Sequence, residues 1–179
     1  MLDESDKSEL LRLARSTLET YFSGGRPADY HASRPSLLVP RGAFVSLHCG
    51  EELRGCIGQM FGDRELYRVV QHCVLSAALE DSRFDPVTPE ELPCLKIEIS
   101  ALTPLEQIHS VEEIEVGRHG IYITRGFHRG LLLPQVATQY RWDRETFLAQ
   151  TCRKAGLPET AWRDPKTSIQ IFTAEVFSE

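Results

Sequence analysis

At 179 residues and a net charge of −6, the chain has the length of one domain and is too acidic for a surface that tracks nucleic-acid phosphates. Apolar residues at 41% and charged residues at 26% describe a globular rather than a disordered protein. No run approaches the roughly 18 apolar residues of a membrane span, and Met1–Glu9 carries four acidic residues in place of a signal peptide's apolar core, so a cytoplasmic protein is expected. This length suits two lobes better than two independent cores. The five cysteines (Cys49, Cys56, Cys73, Cys94, Cys152) are odd in number and lack CxxC spacing, which reads as reduced thiols.

Asp6-Lys7-Ser8-Glu9 has the form of a capping box, and Leu10, Leu13, Ala14, Leu18, Tyr21 and Phe22 follow at helical spacing until Gly24-Gly25. Arg26 to Pro40, with three prolines and no period, reads as a loop. Next come an alternating run, Gly42 to Cys49, and Leu53-Arg54-Gly55-Cys56-Ile57-Gly58, predicted to form a β-hairpin around Gly50-Glu51-Glu52. A three-residue loop would pair Cys49 with Leu53, Leu47 with Gly55 and Val45 with Ile57. It sets His48 opposite Arg54 and Ser46 opposite Cys56. A two-residue loop would place Leu47 beside Arg54 and mix the faces.

Glu65 to Glu80 is predicted as a helix burying Leu66, Val69, Val70, Cys73 and Ala77, ended by Asp81-Ser82-Arg83-Phe84 and Asp85-Pro86. Thr88 caps one turn beginning at Pro89, and a half-exposed strand runs from Leu95 to Ala101. Ile121 to Thr124 is a strand, Gly126 to Arg129 a turn, and Gly130 to Leu133 an apolar strand ending at Pro134-Gln135. Asp143 caps a helix with Phe147, Leu148, Thr151, Cys152 and Ala155 inside, stopped at Gly156. The chain closes on a strand from Thr167 to Phe177. Neighbouring hairpins rather than βαβ alternation give an α+β class with a largely antiparallel or mixed sheet and about three main helices.

The ordered stretches Gly42-Ala43-Phe44-Val45, Leu53 to Gly58, Asp81-Ser82-Arg83-Phe84, Glu98-Ile99-Ser100, Val116 to Gly120, Gly130 to Val136 and Lys154 to Pro158 resemble the AMMECR1 domain family. The stretches look most like the short microbial form, sometimes called protein A of the AmmeMemoRadiSam system. The resemblance implies a single domain over residues 1–179, with the N-terminal helix and loop of residues 1–40 packed on it. It further implies a larger lobe holding both termini, a smaller β-rich lobe inserted in it, and Memo-like and radical SAM proteins as partners. It carries a fold and a cleft rather than a reaction. Ser82 stands where a proline is usual, and the usual proline after Ile57-Gly58 is missing from Gln59-Met60-Phe61-Gly62.

Cys56 is the candidate nucleophile. Arg54, about 7 Å away along the strand, is a cation that would favour the thiolate in an enclosed site. A buried thiol kept for its size is the plainer alternative. His119 is a candidate general base, or a turn histidine bonded to backbone. Arg83 is a candidate anion binder or the ion-pair partner of Asp81. Gln135 has an amide suited to orienting a ligand or to satisfying a loop. Gly55 and Gly58 mark either a bulge or a place where something approaches the backbone closely. Cys73 and Cys152 read as core. No metal-ligand spacing, phosphate loop or cofactor motif appears, so no metal and no cofactor are predicted.

Two functions stay open. One is an enzyme or enzyme subunit acting on a small molecule or a modified protein side chain, in a cleft built on Arg54-Gly55-Cys56. The other is a non-catalytic module binding a ligand or a protein through the same strand.

Overall fold

A computed structural model of the chain describes residues 1–25 and 30–179. In chain order its elements are helix α1 (Glu4–Phe22), the single turn α2 (Pro35–Leu38), strands β1 (Ala43–Cys49) and β2 (Glu52–Gln59), and helix α3 (Leu66–Leu79). Strands β3 (Leu95–Leu102), β4 (Glu106–Gln107), β5 (Gly120–Arg125) and β6 (His128–Leu132) follow. Helices α4 (Pro134–Gln139) and α5 (Arg144–Lys154) and strands β7 (Ser168–Phe172) and β8 (Ala174–Ser178) complete the chain. The class is α+β, as the hairpin-rich order predicts. Of the expected loop from Arg26 to Pro40, residues 26–29 lie outside the described residues, and α2 occupies part of the remainder.

The chain divides into two compact units, Met1–Leu102 with Glu175–Glu179, and Thr103–Ala174. The first therefore holds both termini. Its sheet has strand order β2-β1-β3-β8. Alternation sends Ala43, Val45 and Leu47 of β1 and Leu95, Ile97 and Ile99 of β3 to one face, all of them buried. Leu10, Ala14 and Leu18 of α1 and Val69, Val70, Cys73 and Ala77 of α3 belong to the same buried cluster. On the opposite face Phe44, Ser46, His48 and Glu98 are half-buried.

Helix α1 starts earlier than the sequence suggested. Asp3 caps it by accepting the Asp6 N–H at 2.7 Å, while the Asp6 carboxylate accepts the Asp3 N–H at 3.0 Å. Asp6 is thus a buried member of the box, paired with Arg34, rather than the cap itself.

The second unit has strand order β4-β7-β5-β6. Its own buried cluster sets Phe147, Leu148 and Cys152 of α5 against Ile121 and Ile123 of β5 and Ile169 and Ile171 of β7. The described residues thus form two buried clusters, where length argued for one core. The inserted segment makes its own helix-on-sheet layer and fills it with its own aliphatic residues.

Two further differences have local causes. The strand predicted from Thr167 to Phe177 is really β7 and β8, which belong to different sheets. The buried neighbours Ile171 and Phe172 break the alternation just before the change. The apolar strand predicted to run to Leu133 ends at Leu132, because Pro134 opens helix α4 at the position where a missing N–H costs nothing. No helix among the described residues is long and apolar enough to cross a membrane.

Candidate active site

The β1–β2 hairpin turns through two residues, with Gly50 at φ 62°. Cys49 stands opposite Glu52 and His48 opposite Leu53, so the expected three-residue loop, with its Cys49–Leu53 and His48–Arg54 pairs, is incorrect. Leu47 nevertheless stands opposite Gly55, Ser46 opposite Cys56 and Val45 opposite Ile57, as the apolar faces require. A β-bulge reconciles the two facts. The register shifts between Leu47 and His48, which leaves Arg54 as the extra residue of β2 and restores the faces beyond it.

The bulge also redirects Arg54. Its Nε donates to Glu91 Oε1 at 2.6 Å and its Nη2 to Glu91 Oε2 at 3.3 Å. Glu91 is held in turn by the Thr88 N–H at 2.9 Å, and the Arg54 guanidinium draws its carboxyl below the usual range. The charge of Arg54 is therefore committed to the turn before β3 rather than to the thiol.

Both motif glycines are filled by the chain itself. A Cβ on Gly55 would lie 1.9 Å from the Ala77 carbonyl oxygen, so α3 packs directly on the backbone of β2. A Cβ on Gly58 would lie 2.2 Å from the Phe44 ring. The close approach that these glycines permit is intramolecular.

Strand β2 is an edge of its sheet, so the outward backbone groups of Cys56 need partners. The loop after α3 supplies them. The Cys56 N–H donates to Asp81 Oδ2 at 2.8 Å, and the Cys56 carbonyl accepts from Arg83 Nη2 at 3.3 Å. Asp81, only 7% exposed, also accepts from Arg83 Nε at 2.9 Å, from Arg83 Nη2 at 2.7 Å and from the Arg83 backbone N–H at 3.2 Å. The Arg83 hydrogen bonds hold the Asp81 carboxyl far below the usual carboxylate range, against the opposing effect of burial. The Arg83 guanidinium is itself made more basic, first by Asp81 and further by its attraction to the Cys56 side chain.

With the Cys56 backbone turned outward, its side chain meets Ser46 across the ladder, and Ser46 Oγ donates to Cys56 Sγ at 3.2 Å. Ser46 stands opposite Glu98 on its other side. The open face thus carries the row Cys56, Ser46, Glu98. Cys56 is half-buried, whereas the other two free cysteines are fully buried. Burial pushes the Cys73 thiol up to about 11 and raises that of Cys152 as well.

The remaining two thiols are bonded to each other. Cys49 and Cys94 form a disulfide with Cα atoms 5.2 Å apart, which corrects the expectation of five reduced cysteines. Cys49 ends β1 opposite Leu95, and Cys94 directly precedes Leu95. The β1–β3 ladder therefore delivers the two sulfurs to each other across a sequence separation of 45. Nothing in cysteine spacing announces such a pair.

His119 and Gln135 belong to the second unit. His119 is buried, and its Nδ1 accepts the Glu115 N–H at 3.0 Å while its own N–H donates to the Glu115 carbonyl at 2.9 Å. It closes the turn that leads into β5 and keeps its proton on Nε2. Gln135 is the second residue of α4 and exposed, with its backbone carbonyl accepting the Thr138 hydroxyl at 2.8 Å. His48 faces Leu53 rather than Cys56. Among the described residues no three His, Cys, Asp or Glu side chains group as a metal would need.

The AMMECR1 family model matches residues 11–177. The chain belongs to the AMMECR1 family. A protein of Thermococcus gammatolerans is 45% identical to this AMMECR1 chain over 184 aligned residues, covering 95% of this chain and 88% of its own length. One from Methanothermobacter thermautotrophicus is 40% identical, covering 99% and 96%. The crystal structure of uncharacterized protein PH0010 from Pyrococcus horikoshii superposes with a TM-score of 0.85 at 40% identity, covering 96% of this chain and 90% of the other. For this AMMECR1 chain the sequence had singled out Cys56, Arg83 and Asp81, which stand together. It set Ser46 opposite Cys56 without giving the hydroxyl a role, and it gave Glu98 no role because the β1–β3 register that brings Glu98 beside Ser46 is not written in either strand alone.

Proposed function

We propose that this AMMECR1 chain is an enzyme or enzyme subunit whose nucleophile is Cys56. The observation that carries the reading is the Ser46 Oγ to Cys56 Sγ contact at 3.2 Å on a half-buried sheet face. A hydroxyl donor aimed at sulfur stabilises negative charge there, and the Arg83 cation lies on the other side of the same residue. Asp81 and Arg83 pin both backbone groups of Cys56, so the sulfur is held rather than free to turn away. Attack on an electrophilic carbon of a small molecule or a modified side chain would form a C–S bond from a sulfur lone pair. The leaving group departs with its bonding electrons and the thiol proton passes to water.

The filled glycines favour this reading over a module that binds a partner's backbone, since the space at Gly55 and Gly58 is taken. Memo-like and radical SAM proteins are proposed as the partners that supply or consume the substrate. His119 and Gln135, in the second unit, are proposed as ligand contacts there, His119 through the N–H of Nε2, the nitrogen left over from the turn.

The test is brief iodoacetamide treatment of the folded protein, followed by peptide mass spectrometry. Cys56 is expected to alkylate at least tenfold faster than Cys73 and Cys152. A Cys56 that reacts no faster than those two would end the nucleophile reading.

A further inference from the structure

We propose that Glu98 makes the Cys56 site select electrophiles that carry a positive charge, such as molecules or side chains bearing an ammonium or guanidinium group. The inference rests on the reading of Cys56 as a reactive thiol and adds a substrate class to it.

Cys56 stands opposite Ser46 and Ser46 opposite Glu98, so the three side chains form one row across β2, β1 and β3. Adjacent strands are about 4.8 Å apart, so β3 lies about 10 Å from β2. Side chains of one row stand roughly parallel, so the Glu98 carboxylate is about 10 Å from the sulfur.

Arg54 is neutralised by Glu91 and Arg83 by Asp81. Glu98 is half-buried and has neither a side-chain hydrogen bond nor an ion pair among the described residues. The unpaired charge in the row is therefore negative. Two other titratable groups share this face. Lys96 is exposed and lies two residues farther along β3, and His48 stands opposite Lys96. Both are one row removed from Cys56, and water screens an exposed lysine more effectively than a half-buried carboxylate.

Two methanethiosulfonates of similar size provide the probe, one bearing a trimethylammonium group and the other a sulfonate. In each reaction the Cys56 thiolate attacks the reagent's sulfenyl sulfur, a disulfide forms, and methanesulfinate leaves with the electron pair. The ratio of the two rates, cation over anion, is normalised to that for free cysteine at low salt. Even at the dielectric of water, a unit charge about 10 Å away changes each local reagent concentration about twofold, and so the ratio about fourfold.

Wild type is expected to exceed free cysteine by at least that factor, Glu98→Gln to abolish most of the excess, and 1 M salt to collapse it in wild type. An unchanged ratio in Glu98→Gln, with Cys56 still reacting, overturns the role of Glu98 and leaves the thiol site standing. If that variant fails to fold, the salt series on wild type decides alone, and a wild-type ratio equal to that of free cysteine overturns the proposal. Failure of Cys56 to react with either reagent overturns both the thiol reading and this inference.

Discussion

Arg54 and Glu91 form a two-pronged ion pair, Nε to Oε1 at 2.6 Å and Nη2 to Oε2 at 3.3 Å, across the bulge of β2. The cation nearest to Cys56 in sequence is thus occupied, and the one that touches it comes from the loop after α3. Arg54→Ala is expected to leave Cys56 alkylation within about twofold of wild type. It should lower stability by about 1 kcal/mol, the upper range for a partly exposed pair. Arg83→Ala should slow alkylation about threefold or more, because it frees the Cys56 carbonyl and loosens Asp81, the two contacts that hold the sulfur in place. Iodoacetamide rates for both variants, with urea midpoints, distinguish the two arginines. The reverse pattern would return the role to Arg54.

Asp81 gives the site an acid limit. Its folded-state carboxyl titrates well below the value of about 3.9 for an unfolded chain. The stability it contributes is therefore complete above that unfolded value and is lost as pH falls from about 4 through the depressed folded one. Protonation would release Arg83 and leave the Cys56 N–H with a poorer acceptor. Urea midpoints between pH 2 and 6 should decline more steeply below pH 4 in wild type than in Asp81→Asn. Parallel curves would mean that the carboxylate contributes nothing that depends on its charge.

The glycines divide by cause. At Gly55 the obstacle is the Ala77 backbone, 1.9 Å from a Cβ and unable to move without shifting α3 off the sheet. Gly55→Ala should cost about 3 kcal/mol, the scale of an overpacked core site. At Gly50 nothing lies within 4 Å and only φ of 62° opposes a side chain. Gly50→Ala should cost about 1 kcal/mol through backbone strain alone. Denaturant melts of the two variants measure the difference, and equal costs would mean that α3 is not seated on β2.

What the sequence made legible was whatever alternation or helical spacing could carry. Burial of Val45 and Leu47 forced them opposite Ile57 and Gly55 however the turn was made, and so placed Ser46 beside Cys56. The bulge was hidden because an extra residue in one strand cannot be seen by counting the other. The ion pair of Arg54 with Glu91 was hidden for the same reason that most long-range charge pairs are. Both residues are ordinary surface types, and only the packing of the turn at Pro89–Glu91 joins them. Gln135 was expected at a strand end because Leu131, Leu132 and Leu133 continue an apolar run into Pro134, and such a run does not reveal where strand ends and helix begins.

The disulfide offers the last prediction. Cys49 and Cys94 close a loop of sequence separation 45 that contains β2, α3, Asp81, Arg83 and Glu91, so both side chains that hold the Cys56 backbone lie inside it. Loop-closure entropy for that length corresponds to about 4 kcal/mol, an upper figure because unfolded chains keep residual structure. Reduction with a phosphine, or Cys94→Ser, should lower the denaturation midpoint by a matching amount. The ladder of β1 with β3 should survive, since its hydrogen bonds do not depend on the sulfurs. Alkylation with mass spectrometry checks the bond itself. Protein denatured without reductant should label at Cys56, Cys73 and Cys152 alone, and at all five cysteines only after reduction. Labelling of all five without reductant would show the two thiols to be neighbours that never joined, and the loss on reduction should then vanish as well.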